Sequence, residues 1–131
     1  MKFFVRWLGI TLFGLVPLAH ANEAKVKFAE FVRQGAESWS VSVTLRHADT
    51  GWEHYADAWR VLGPDDKELG RRVLYHPHET EQPFTRSLSG LKIPATVTTV
   101  WVEAHDKVHG WNAKRLRVDL TAAEGPGFKV H

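Results

Sequence analysis

The sequence contains no cysteine, and its one methionine is the initiating Met1. Disulfides are therefore unavailable, and packing has to stabilise the fold even in an oxidising compartment. Thiolate zinc sites and blue-copper centres require cysteine, and thioether copper(I) ligation requires methionine, so none of these can be built here. A bound ion would have to be held by nitrogen and oxygen. Helical periodicity is also scarce: no helix of useful length, internal repeat or low-complexity segment can be read. The G-x-S-x-G signature of hydrolase nucleophiles is missing, and Ser87 and Ser89 read as ordinary strand-end residues. Carboxylates for glycoside chemistry exist in Glu53, Glu79 and Asp106, but nothing in their spacing pairs them.

Long hydrophobic runs are confined to the N-terminus. Lys2 and Arg6 lead into the apolar run WLGITLFGLVPLA, and Ala19-His20-Ala21 has the small-x-small pattern read by signal peptidase. The run is short for a membrane span. Residues 1–21 are expected to be a removed secretion signal and 22–131 a single domain, periplasmic or secreted, with no membrane span. Loss of Lys2 and Arg6 leaves 15 basic against 15 acidic residues. The apparent basicity then disappears, and nucleic acid is not an expected partner. Cleavage after Ala19 would instead expose His20 as an N-terminal copper chelate like that of copper monooxygenases, but the Ala-His-Ala register favours Ala21.

What the mature chain does have is a period of two. In SWSVSVTLRH, Trp39, Val41, Val43 and Leu45 alternate with Ser40, Ser42, Thr44 and Arg46, as in a strand with one buried face. AKVKFAEF, YADAWRVL, RRVLYH, PFTRSL, TVTTVWVEA and KRLRVDL read as further strands, with GPDDKELG as a strong turn. About seven short strands separated by turns predict an all-β, immunoglobulin-like antiparallel β-sandwich. Trp39 and Trp59 share the core parity of their strands and are expected to be buried.

Antiparallel alternation turns this order into geometry, because every second connection falls at the same pole. The connections after SVSVTLR, at HPHETEQP and at HDKVHGWN then share one end, and carry His47, His54, His76, His78, His105 and His109. Neutral imidazole is a common ligand for copper, iron and zinc, and three or four are needed to fix a divalent ion. His76 and His78 have the same parity, and Pro77 stiffens the chain between them. Asp106 and His109, three apart before Gly110, offer a carboxylate and an imidazole in a turn. Asp49, Glu53, Glu79 and Glu81 are candidate acceptors that would orient ring N–H groups. Trp52 and Trp111 lie in the same loops, where they could wall a metal pocket, stack on a sugar ring or anchor a partner protein.

WEHYADAWRV, followed much later by AHDKVHGW, resembles the iron domain of the superoxide reductase/desulfoferrodoxin family over about half of the mature chain. That family is also an immunoglobulin-like sandwich, with an early Glu-His before a strand, further loop histidines and a late Cys-x-x-His-Gly. Glu53-His54 matches the early element; Asp106-Lys107-Val108-His109-Gly110 matches the late one, with Asp106 in the cysteine position. The resemblance implies an iron site to which His54 and His109 carry over best and His47 loosely, while His76 and His78 have no counterpart. In the family four histidines and the thiolate hold iron, and the thiolate supports superoxide reduction, which the aspartate here puts in question.

Two functions follow. The first is metal binding at one pole by His54, His76, His78 and His109, with Asp106, His47 and His105 assisting, for metal handling or small-molecule redox chemistry. Copper or iron suits so much imidazole better than calcium, with zinc a weaker candidate. The second is a non-catalytic module that uses Trp52, Trp111 and the histidine rim to bind a protein, such as another periplasmic one, or a glycan.

Overall fold

The computed structural model describes residues 22–131, so the expected secretion signal lies outside the described residues. Strands β1 (Lys25–Arg33), β2 (Ser38–Arg46), β3 (Ala56–Leu62), β4 (Glu68–Val73), β5 (Phe84–Lys92) and β6 (Thr99–Asp106) come first; β7 (Gly110–Trp111), β8 (Leu116–Asp119), β9 (Glu124–Gly125) and β10 (Phe128–Val130) complete the chain. The only helical element among the described residues is a single 3-10 turn, Pro64–Asp66. None of the described helices is long and apolar enough to cross a membrane.

The strands form two sheets, ordered β5-β2-β1-β10-β9 and β4-β3-β6-β7, with β8 also pairing β6. They face one another as the expected β-sandwich. Sequence alternation is obeyed: Trp39, Val41, Val43 and Leu45 of β2 are buried and meet Trp59, Val61, Val100, Val102 and Val118 of the opposite sheet in one core. Burying each such side chain contributes about 1.5–3 kcal/mol, which is how a domain without disulfides is held. Trp39 and Trp59 are both in this core.

Three features depart from the sequence reading. First, β4 starts at Glu68 rather than Arg71, because the turn needs only Gly63 to Lys67, where the Gly63 N–H donates to the Lys67 carbonyl. Second, one pairing is parallel, β1 with β10, where Ala29 aligns with Phe128. The β9–β10 hairpin was hidden by its Gly-Pro-Gly tip, which reads as a loop. Third, β7 and β8 share the same strand, β6, at successive positions: Trp111 opposite His105 and Leu116 opposite Val102.

Candidate metal centre

At one pole, three strands carry their inward parity into the loops beyond them. On β2 the inward series ends at Leu45 and continues to His47, which is buried. On β6 it runs through Val100, Val102 and Ala104 to Asp106, also buried. Before β3, His54 has the same parity as the buried Ala56, which lies opposite Asp106 and is followed by a bulge that shifts the inward series to Trp59 and Val61. These side chains converge above the apolar core, and each of His47, His54 and Asp106 offers a donor atom within 4.8 Å of the others.

Asp106 owes its place to local chemistry. Its Oδ1 accepts the N–H groups of Val108 at 3.0 Å and His109 at 2.8 Å, the self-capping turn that aspartate favours. Gly110 supplies the left-handed residue at φ 76° that lets the chain return. The turn brings the His109 ring back over the carboxylate, with Nδ1 3.0 Å from Oδ1 and 3.2 Å from Oδ2. His54 Nε2 lies 3.1 Å from Asp106 Oδ1 and 3.2 Å from His47 Nε2. Burial works to raise the Asp106 carboxyl; the N–H groups of His109 and Val108, the His109 ring and the Ala24 N–H outweigh it and hold the group below the usual carboxylate range.

His47 Nε2 is also 2.8 Å from the Asn22 carbonyl oxygen, while its Nδ1 is 2.5 Å from Asp49 Oδ1. Both ring nitrogens therefore face oxygen acceptors. With the proton on Nδ1, the lone pair of Nε2 confronts a carbonyl and another imidazole nitrogen at hydrogen-bond distance. The His54 Nε2–H can donate to that lone pair, and a proton or a metal cation on Nε2 would in addition satisfy the Asn22 carbonyl.

The donor spacing itself fits a cation. Metal–nitrogen bonds of about 2.0–2.1 Å place adjacent donors about 2.9 Å apart in an octahedral set and about 3.3 Å apart in a tetrahedral one. The separations from His47 to His54 and from His54 to Asp106 are 3.2 and 3.1 Å. Two imidazoles and a carboxylate suit iron(II), copper(II) or zinc; His109 stands against the Asp106 carboxylate, outside that group of mutually close donors.

Other residues expected at the site lie elsewhere on the pole or on the outer sheet face. His105 precedes Asp106 and so points to the opposite side of β6. There it pairs with Asp57 through Nδ1 and meets the Trp111 ring at 4.8 Å. Trp111 carries the Arg60 guanidinium 3.9 Å over its ring and does not wall the cluster. Trp52 is 65% exposed, edge-on to Tyr55, and Glu53 is exposed beside it. Exposed Glu79 reaches back towards Gly51.

The His76–His78 pair is split by environment. His76 is exposed and its Nδ1 is 3.2 Å from the Pro77 carbonyl. His78 is buried, stacked on Phe84 at 4.1 Å, with Arg86 Nη2 donating to its Nε2 at 2.9 Å. Burial, then the charges of Arg86 and His76, push the His78 imidazole below its usual range and outweigh Asp49 and Glu81. The three loops do meet at one pole: the His78 N–H donates to Asp49 at 2.7 Å and the Lys107 N–H to the Tyr55 carbonyl at 3.2 Å. The candidate ligands, however, come from two of the loops; the third stands behind Asp49.

Three supporting residues carried no recognisable signal in the sequence. Asn22 clamps the start of the loop, with Nδ2 donating to the Ala48 carbonyl at 2.9 Å and Oδ1 accepting the Ala48 N–H at 3.1 Å. Gln82 bridges two loops, accepting the His47 N–H at 3.0 Å and donating to the His78 carbonyl at 2.9 Å. Arg86 is the third. Side-chain amides and outward strand arginines are too common to mark a site in advance.

No family model matches the sequence. One solved structure, a superoxide reductase (neelaredoxin) from Ignicoccus hospitalis, aligns with 85% of this chain and 83% of its own at 14% identity and a TM-score of 0.44, a distant resemblance of fold. The chain is also 40% identical over 98 residues to "Putative lipoprotein" from Halomicrobium mukohataei, a match covering 75% of this chain and 48% of that protein, so the chain spans about half the length of the relative it matches.

Proposed function

We propose that this domain is an extracytoplasmic metal-binding protein. His47, His54 and Asp106 hold one transition-metal ion, iron or copper ahead of zinc, with the His109 ring against the Asp106 carboxylate, for metal handling or small-molecule redox chemistry. The observation that carries this reading is the convergence of His47, His54 and Asp106 donor atoms within 4.8 Å at the end of an otherwise apolar core. Gathering imidazole nitrogens around a buried carboxylate costs free energy unless a proton or cation sits among them. The lipoprotein name of the Halomicrobium mukohataei relative agrees with a location outside the cytoplasm. A bound iron or copper ion would supply a Lewis-acid or one-electron centre. The chain's own groups do the rest. Asp49 fixes the His47 ring, the Asp106 turn places His109, and the partial exposure of the His54 and His109 side chains, 18% and 28%, leaves an approach for a small molecule.

Cobalt(II) titration of full-length protein purified without a histidine tag tests the reading across pH. Imidazole binds metal only when neutral, whereas Asp106 is held below the usual carboxylate range and stays ionised. Occupancy should therefore be full near pH 7.5 and fall as pH drops through about 6, the region where imidazole takes up protons. Undiminished binding at pH 4.5 would assign the ion to carboxylates, and no binding at any pH would remove the metal reading.

A further inference from the structure

Resting on that reading, we propose that Arg86, His78 and Asp49 form a positioning chain. From outside the cluster it fixes the tautomer and orientation of His47, and so sets the affinity of the metal centre.

The chain can be followed atom by atom. Asp49 is buried at the pole, and its two oxygens accept three donors: His47 Nδ1 at 2.5 Å and the Ala56 N–H at 3.0 Å on Oδ1, and the His78 N–H at 2.7 Å on Oδ2. Asp49 thereby holds the proton of His47 on Nδ1 and turns Nε2 towards His54, the orientation a ligand needs. Carboxylate partners of this kind raise the basicity of a ligating imidazole.

His78 acts on Asp49 from the other side. An arginine can only donate, so the 2.9 Å contact from Arg86 Nη2 makes His78 Nε2 the acceptor and places the proton of the neutral ring on Nδ1. That Nδ1 is buried and has no hydrogen-bond partner among the described residues, lying 4.0 Å from Asp49 Oδ2. A buried N–H left unbonded is costly. Here its dipole faces the one buried carboxylate within reach and steadies its charge. The charged and titratable groups facing His78 are Asp49, His76, Arg86 and, through Arg86, Glu81.

Packing fixes the geometry. The His78 ring lies 12° from the plane of Phe84, and the Gln82 amide ties the His47 and His78 backbones together. If Arg86 is lost, His78 Nε2 is free to take the proton, Nδ1 then presents a lone pair to Asp49, and the carboxylate shifts its hold on His47.

Two readouts test the chain on the full-length protein. Imidazole 15N chemical shifts of metal-free protein should show His78 protonated on Nδ1 and His47 Nδ1 strongly hydrogen-bonded. Arg86→Met should redistribute the His78 proton and move the His47 resonances, and Arg86→Lys, which can still donate to Nε2, should restore both. Cobalt(II) affinity should weaken about tenfold in Arg86→Met and in His78→Gln, in the range for outer partners of a metal ligand, with a shifted visible spectrum. Unchanged His47 shifts in Arg86→Met would overturn the chain even where cobalt binds. Absent cobalt binding in the unaltered protein would sink the metal reading instead, leaving the chain to be judged on the shifts.

Discussion

Replacing His54 with alanine is expected to weaken metal binding by about a hundredfold or more, whereas replacing His76 should change it less than about twofold. His54 is the hinge of the cluster: its Nε2 stands 3.2 Å from His47 and 3.1 Å from Asp106, and its ring centroid is 5.1 Å from that of His109. Removing it separates the β2–β3 loop donor from the β6–β7 turn donor. Losing even an outer partner of a ligand typically costs about 10–100-fold in affinity, so losing a ligand should cost at least the upper end. His76 is exposed, meets the Pro77 carbonyl and the His78 ring, and is not among the clustered donors of the described residues. Isothermal titration with cobalt(II) or copper(II) measures both variants. Comparable losses would mean that the H-x-H segment binds the ion after all.

The second large effect is on folding. Asp106→Ala should destabilise the metal-free domain by about 2–4 kcal/mol, because the Val108 and His109 N–H groups and the weaker Ala24 contact each lose their acceptor. Asp106→Asn keeps a carbonyl oxygen for the turn and should lose less than half as much, yet bind metal no better than the alanine variant. Urea denaturation separates the two roles; equal destabilisation would mean that the charge, not the turn, matters. The pH dependence has a definite sign. Folding depresses the Asp106 carboxyl, so its contribution is present above the unfolded value of about 3.9 and is lost as pH falls through the lower folded value.

Strand parity made much of this site legible. The run Trp39, Val41, Val43, Leu45 points inward, and counting on by two lands on His47; the same count along β6 lands on Asp106 and turns away His105, an expected assisting ligand. Alternation of connections also placed the histidine loops at one pole. What parity cannot supply is direction within a loop. HPH reads as two imidazoles on one face, yet His78 is drawn under Phe84 and Arg86 while His76 stays in solvent. Trp111 sits in a histidine-bearing segment, but its place in β7 turns it onto Arg60. The Asp106 turn was readable as a carboxylate and an imidazole three apart before a glycine. That its oxygen also caps the backbone could be seen only with the chain folded.

Metal analysis of the unaltered and the His47→Ala/His54→Ala proteins, each secreted and purified without a tag or added metal, bears most directly on the central claim. Near one iron or copper per chain, falling to background in the double variant, is the predicted result. A metal-free native protein that also takes up none on titration, or a double variant that keeps its metal, would contradict it.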